Sequence, residues 1–155
     1  MTLPPETPTL NFVGTILSEL SFHAGHMSDR KRLHPEAWAY SKDASFAQGV
    51  EVDGTVYVAG IVSLSDDGQL VGSGDMDAQA RQTFKNIEKV LAEAGMTLDN
   101  VVKMTCYITD VSKYGEYAAV RAELFQGELP ASATVAVAAL VMPELLIEID
   151  AIAVR

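Results

Sequence analysis

The chain has few of the groups that form disulfides, bind metals or contact nucleic acids. Its 155 residues include one cysteine, three histidines and 11 Lys plus Arg against 21 Asp plus Glu, for a formal net charge of -10. A single cysteine cannot form an intrachain disulfide, so nothing indicates an oxidising compartment. Phosphate backbones are bound by clustered Lys and Arg, and the best local run here is Arg30-Lys31-Arg32. The composition therefore argues against a nucleic-acid partner.

Metal-ligand spacings and long apolar runs are missing too. His23 and His26 lie three residues apart, but no Cys, Asp or Glu at ligand spacing accompanies them until Asp29, so no metal site is predicted. No apolar run reaches the roughly 18 residues that span a bilayer. The first 20 residues carry Glu6 and Glu19 and no basic start, unlike a secretory signal. We expect a cytoplasmic protein with no membrane partner.

The chain divides into a weakly patterned start and a strongly patterned body. Residues 1–44 mix turn formers with short apolar clusters and are predicted to be an N-terminal extension or arm, partly ordered, within which Met27 could be a native start. Residues 45–155 are predicted to form one domain. Hydrophobic residues make up 48% of the chain, which is enough to bury a sizeable core.

The body shows alternating strand and helix patterns in the order β-β-α-β-α-β-β. Asp53-Gly54, between the first two strands, is a strong two-residue hairpin signal. The first helix begins near Asp75 and stops before Gly95, while the second follows Asp110. The strands are predicted over residues 46–52, 55–62, 101–109, 133–138 and 145–154.

This order predicts an α+β fold with both helices on one face of a mixed sheet. The other sheet face carries mixed residues and has no further helix to cover it, so self-association is expected. In the last strand, Glu148 and Asp150 point to that open face, because Ile147 and Ile149 belong on the helix side. In the preceding strand Ser132, Thr134, Ala136 and Ala138 share a face. We expect these small residues and the two carboxylates to form a shallow polar cleft.

Several segments, in order and at the right spacing, resemble the Rid (YjgF-like, reactive intermediate deaminase) family over roughly residues 46–155. Each segment alone is a weak signal, and together they are specific. The segments are Phe46-Ala47-Gln48-Gly49-Val50, Val56-Tyr57-Val58-Ala59-Gly60, residues 78–87, residues 101–110, Pro130-Ala131-Ser132-Ala133-Thr134-Val135 and residues 147–154.

The resemblance implies a chorismate-mutase-like (ferredoxin-like) fold in a homotrimer, with three sheets forming a central barrel and small-molecule sites in clefts between subunits. It also implies hydrolysis of reactive enamines or imines to carbonyl compounds and ammonia without a cofactor. The family signature has Pro-Ala-Arg-Ser, and here Ser132 stands where that arginine binds the substrate carboxylate. The family's Gln after Ser-Gly in the second strand is replaced by Ile61.

The lost arginine leaves the source of a cation open. Arg121, where the family often has an aromatic residue, could supply it, or could sit on a solvated helix face, and Arg81 is predicted to be structural. Carry-over from the family gives Glu148 and Thr134 as candidate catalytic residues. Glu148 could activate a water, and its alternative role is that of a hydrated or ion-paired interface carboxylate. The candidate substrate-binding residues are Ser132, Phe46, Tyr107, Arg121 and Asp150.

Cys106 falls on an apolar strand face, where a thiol is inert, so it is not expected to be a nucleophile. Three hypotheses follow for the function. The first is a cofactor-independent hydrolase, a deaminase of a small enamine, imine or related conjugated compound. The second is a non-catalytic trimer that binds metabolites or protein partners, which the missing arginine favours. The third, an RNA-directed activity, fits poorly with the net charge of -10.

Overall fold

The computed structural model describes residues 29–155, and the predictions made for His23, His26 and Met27 lie outside them. One six-stranded sheet has the order β1-β2-β3-β6-β4-β5, in which only β4 and β5 run parallel. The strands are β1 Lys31–Leu33, β2 Gly49–Val52, β3 Thr55–Val62, β4 Val101–Ile108, β5 Ala131–Ala136 and β6 Ile147–Val154. The helices are α1 Met76–Ala92 and α2 Tyr114–Leu124, with short 3-10 turns at Ala39–Ser41, Leu98–Asn100 and Val111–Lys113. The α+β class and the mixed sheet are as predicted.

Helix α1 begins and ends where the sequence indicates. The Asp75 carboxylate accepts a hydrogen bond from the backbone N–H of Ala78 at 3.0 Å, which caps the first turn. Gly95 follows the helix with φ +67°, a conformation that favours glycine. The same preference explains the predicted hairpin between β2 and β3, since Asp53 and Gly54 have φ of 49° and 76°.

The core lies between the two helices and one face of the sheet. Phe84 of α1 packs in parallel with the ring of Tyr117 from α2, with centroids 6.4 Å apart, and edge-on to Phe125 at 5.6 Å. On strand β6 the buried side chains are Ile147, Ile149, Ala151 and Ala153. This alternation confirms the predicted helix side of β6.

The opposite face of the sheet is covered by no helix of residues 29–155. Tyr57 and Val135 point to this open face, and they are 51% and 43% exposed. Glu148 and Asp150 share it, as predicted, and are half-buried. This side of the sheet is the open face.

Strand β1 was not predicted. It pairs antiparallel with β2, and its Leu33 is fully buried. Trp38, a little further along, is also buried, and its indole N–H donates to Asp66 Oδ1 at 3.1 Å. The described part of the predicted arm thus packs against the body, while the division of the chain at residue 44 stays a prediction.

Candidate functional site

Two pockets of the described chain contain most of the predicted site residues. The Glu148 pocket has a volume of about 740 Å³ and the Arg121 pocket one of about 680 Å³. Both volumes fall in the range of small-molecule sites. The main lining residues of the first are Trp38, Tyr40, Phe46, Gly60, Val141 and Glu148. Those of the second are Tyr114, Ala118, Arg121, Phe125, Ser132 and Thr134.

The Glu148 carboxylate lies directly against the backbone of Gly60. A Cβ atom built on Gly60 would collide with Glu148 Oε1, so the carboxylate keeps this position because residue 60 has no side chain. The pairing of β3 with β6 shifts register between Val58 and Ile61 at this point. Such irregularities re-aim side chains next to functional sites. The irregular strand directs the carboxylate into the pocket, and the glycine leaves room for it there.

Burial raises the pKa of Glu148 above the ordinary 4.5, and the negative charge of Asp150 raises it further. A half-dry carboxylate with a raised pKa is a stronger proton acceptor than a hydrated one. It can take a proton from water and return it to a leaving group. The geometry therefore suits Glu148 for general acid–base chemistry on a small molecule.

Phe46 is in the wall of the Glu148 pocket and is 56% exposed. Its backbone carbonyl accepts a hydrogen bond from Arg32 Nη2 at 3.0 Å, which ties this segment to strand β1. Trp38 and Tyr40 complete the wall, with ring centroids 6.1 Å apart. Both were missed from the sequence, although two aromatic residues so close together in the arm are a signal that this segment packs on the body.

The Arg121 pocket lies between α2 and the edge strand β5. Arg121 Nη1 donates to Ser132 Oγ at 3.2 Å, and the guanidinium carbon lies 5.3 Å from the centre of the Tyr117 ring. Thr134 is half-buried beside them. Arg121 is half-buried, lines this pocket and contacts Ser132, and its role as the cation that binds substrate stays a prediction.

The predicted cleft of Ser132 and Thr134 with the two carboxylates is wrong within one subunit. Strand β4 lies between β5 and β6. Thr134 pairs with Cys106, which is buried under the helices, so Thr134 and Ser132 are on the helix side of the sheet while Glu148 is on the open face. The error came from assigning Val135 to the helices because it is apolar.

Tyr107 and Asp150 contact each other on the open face and are not among the residues that line the two pockets. The Tyr107 hydroxyl donates to Asp150 Oδ2 at 2.9 Å. This hydrogen bond raises the pKa of Tyr107, and the negative charge of Asp150 raises it further. The pair can influence Glu148 through charge, since Tyr107 and Glu148 are cross-strand partners.

Cys106 is fully buried, and burial raises the pKa of its thiol to about 12. A thiol in that state is not a nucleophile at neutral pH. Within residues 29–155, no three His, Cys, Asp or Glu side chains cluster to hold a metal ion, and no helix is long and apolar enough to cross a membrane.

Comparisons with known proteins agree with this architecture. The profile of the family described as Endoribonuclease L-PSP matches residues 38–155. A mouse protein named 2-iminobutanoate/2-iminopropanoate deaminase is 40% identical over 111 residues, which cover 71% of this chain and 81% of the mouse protein. The yeast mitochondrial protein MMF1 is 34% identical over 97 residues, 63% of this chain and 66% of the yeast one.

Solved structures agree as well. A protein of unknown function of the conserved Rid family from Yersinia pestis superposes with a TM-score of 0.75 at 33% identity, over 82% of this chain and all of that chain. A putative endoribonuclease L-PSP from Entamoeba histolytica superposes with a TM-score of 0.74 at 30% identity, over 82% of this chain and all of that chain. The match of sequence and fold shows that the chain belongs to the L-PSP family, the Rid (YjgF-like) proteins.

Proposed function

We propose that this protein is a cofactor-independent hydrolase that deaminates a small reactive enamine, imine or related conjugated compound. The observation that carries the proposal is the Glu148 carboxylate, held against Gly60 in a pocket with its pKa raised by burial. The name of the mouse relative, an imine deaminase, supports the same chemistry. A cytoplasmic location accompanies this proposal.

Glu148 acts as a base and then as an acid in the proposed reaction. It accepts a proton from water while the water oxygen bonds to the imine carbon and the C=N π electrons move to nitrogen. Nitrogen takes up protons, the new hydroxyl gives one up, and the C–N bond breaks to release ammonia and the carbonyl compound. An enamine first takes a proton on carbon to become the imine. A positioned acid–base group contributes about 10²–10⁴-fold to such a step.

Three copies would close the open face and join the two pockets. The open face exposes the large side chains of Tyr57, Val102 and Val135. They would remain in contact with water unless another subunit covers them. Within one subunit the Glu148 carboxylate and the Arg121 guanidinium lie on opposite sides of the sheet. A cyclic homotrimer in which the Glu148 pocket of one copy meets the Arg121 pocket of the next would place both in one intersubunit cleft. Thr134 would then orient a carbonyl or water there, and Phe46 would be a wall.

The test is ammonia release from 2-iminobutanoate and 2-iminopropanoate, the compounds in the mouse relative's name. We expect hydrolysis by the unaltered protein and at least about a 100-fold loss in Glu148→Gln. Glu144→Gln is the matched control. It removes the same charge from an exposed residue in the loop before β6. Full activity in Glu148→Gln, or none with any enamine or imine, would contradict the proposal. Light scattering that gives the mass of one subunit would contradict the trimer.

A second function is favoured by Ser132, which stands where the family signature has arginine. A site without that residue could bind a metabolite without converting it, in a trimer that has no catalytic role. Calorimetric binding of an imine analogue together with unaccelerated hydrolysis would support this alternative over the deaminase.

A further inference from the structure

Within residues 29–155, Arg121 pairs with no carboxylate, and it lines a pocket that contains both apolar and hydroxyl-bearing side chains. Arg81 and Arg155 both bond carboxylates, at 2.8 Å from Asp77 and 2.9 Å from Glu51. Arg121 has no carboxylate oxygen within 4.0 Å among residues 29–155. A guanidinium stays charged in proteins, and that of the half-buried Arg121 is less screened by water than one on an exposed surface.

The guanidinium is also held in place before any ligand arrives. Tyr117 lies one helical turn before Arg121, and the guanidinium lies over its ring. That ring is fully buried, packed on Phe84, and its hydroxyl contacts Met104 Sδ at 3.8 Å. Ser132 Oγ accepts one of the five N–H donors of Arg121. The remaining donors form a planar fork that fits a carboxylate, at a reduced cost in side-chain entropy.

The contact with Ser132 explains why the chain can do without arginine at that position. Ser132 and Arg121 stand on opposite walls of one pocket, β5 and α2. An arginine at 132 would compete for the volume that the Arg121 side chain occupies and would place two like charges side by side. A small hydroxyl at 132 instead leaves that volume free and accepts a hydrogen bond from the incoming guanidinium.

We propose that Arg121 binds the carboxylate of the substrate, with Ser132 as its positioning residue, so that the position of the charge is kept while the residue carrying it has moved from β5 to α2. The walls next to it include Val111, Ala118, Phe125 and Leu129. The substrate class is therefore a carboxylic acid whose neighbouring part is hydrocarbon. This inference rests on the proposed function for the identity of the substrate, and its test uses binding rather than turnover.

The test compares two probes that differ only in charge: 2-oxobutanoate, the product expected from 2-iminobutanoate, and its amide, 2-oxobutanamide. Calorimetry on the full chain should show the acid binding at least about tenfold more tightly than the amide, since each 1.4 kcal/mol is tenfold and a charge-assisted bidentate pair exceeds that. Arg121→Met should abolish the preference by weakening the acid and leaving the amide unchanged. Arg81→Met, which removes the same charge on α1 outside both pockets, should keep it.

The double variant Arg121→Met with Ser132→Arg restores a cation from the other wall. It should regain most of the preference for the acid, and this recovery also shows that the Arg121 variants fold. Equal affinity of the unaltered protein for both probes, no binding of the acid, or a preference retained in Arg121→Met would overturn the inference. A preference that depends on Arg121 without any hydrolysis of imines would keep it and overturn only the deaminase.

Discussion

The two faces of strand β6 show how one segment serves both stability and chemistry. On the helix side Ile147, Ile149, Ala151 and Ala153 are buried in the core. On the open face Glu148 and Asp150 are half-buried, and burial raises the pKa of Glu148. Because a strand alternates sides at every residue, the packed side fixes the orientation of the reactive one. Rigidity of the core is thus passed to the carboxylate without any loop between them.

The largest difference should appear in the free energy of unfolding, when a phenylalanine is removed from the core and from the Glu148 pocket. Phe84→Ala deletes a ring that is 1% exposed between the helices and the sheet, and should lower the free energy of unfolding by about 3–5 kcal/mol. Phe46→Ala removes a ring that is 56% exposed in the Glu148 pocket and should cost less than about 1 kcal/mol. Urea denaturation of both variants measures the difference. Equal losses would show that the pocket wall is part of the core.

The close approach of Gly60 and Glu148 can be broken with one methyl group. In Gly60→Ala the new Cβ would collide with the carboxylate, whose flexible side chain can move away at little cost in stability. We expect about a 100-fold loss of activity, since a displacement of about 1 Å can have that effect. Gly115→Ala on α2 is the control, because nothing lies within 4 Å of its added Cβ. Unchanged activity in Gly60→Ala would mean that the carboxylate does not need its present position.

A smaller effect is expected from the neighbouring charge on the open face. Asp150 raises the pKa of Glu148, so Asp150→Asn should lower that pKa. Glu148 must be ionised to accept a proton from water. The activity therefore falls as the pH drops through its pKa, and the acid limb of the kcat/KM profile should move to lower pH in the variant. An acid limb that stays in place, or moves to higher pH, would show that Glu148 is not the group that titrates.

The local elements of the fold could be predicted because their signals are local. The 55–62 strand agrees with β3, and Asp75 and Gly95 bound α1 through capping and a positive φ. Strand β1 escaped prediction because three residues, two of them basic, show no alternation. Its pairing depends on an existing β2 edge, which the local sequence does not encode.

The site was only half predictable for a topological reason. Parity correctly grouped Glu148 with Asp150, and Ser132 with Thr134, and the buried isoleucines of β6 correctly gave its helix side. Strand β5 has no such contrast between its two faces, and its orientation depends on the long-range parallel pairing with β4. The role of Gly60 was not predictable from the sequence, since its contact with Glu148 exists only once β3 and β6 pair.

Mixing two inactive variants tests most directly whether neighbouring subunits share one site. Glu148→Gln and Arg121→Met are each expected to be nearly inactive alone. When they are co-expressed in equal amounts, an interface regains both wild-type groups only if each comes from the right copy, which random assembly of a cyclic trimer allows at about a quarter of the interfaces. We therefore predict recovery of about a quarter of the unaltered activity. Activity no higher than the sum of the two separate variants would contradict a site built from two subunits.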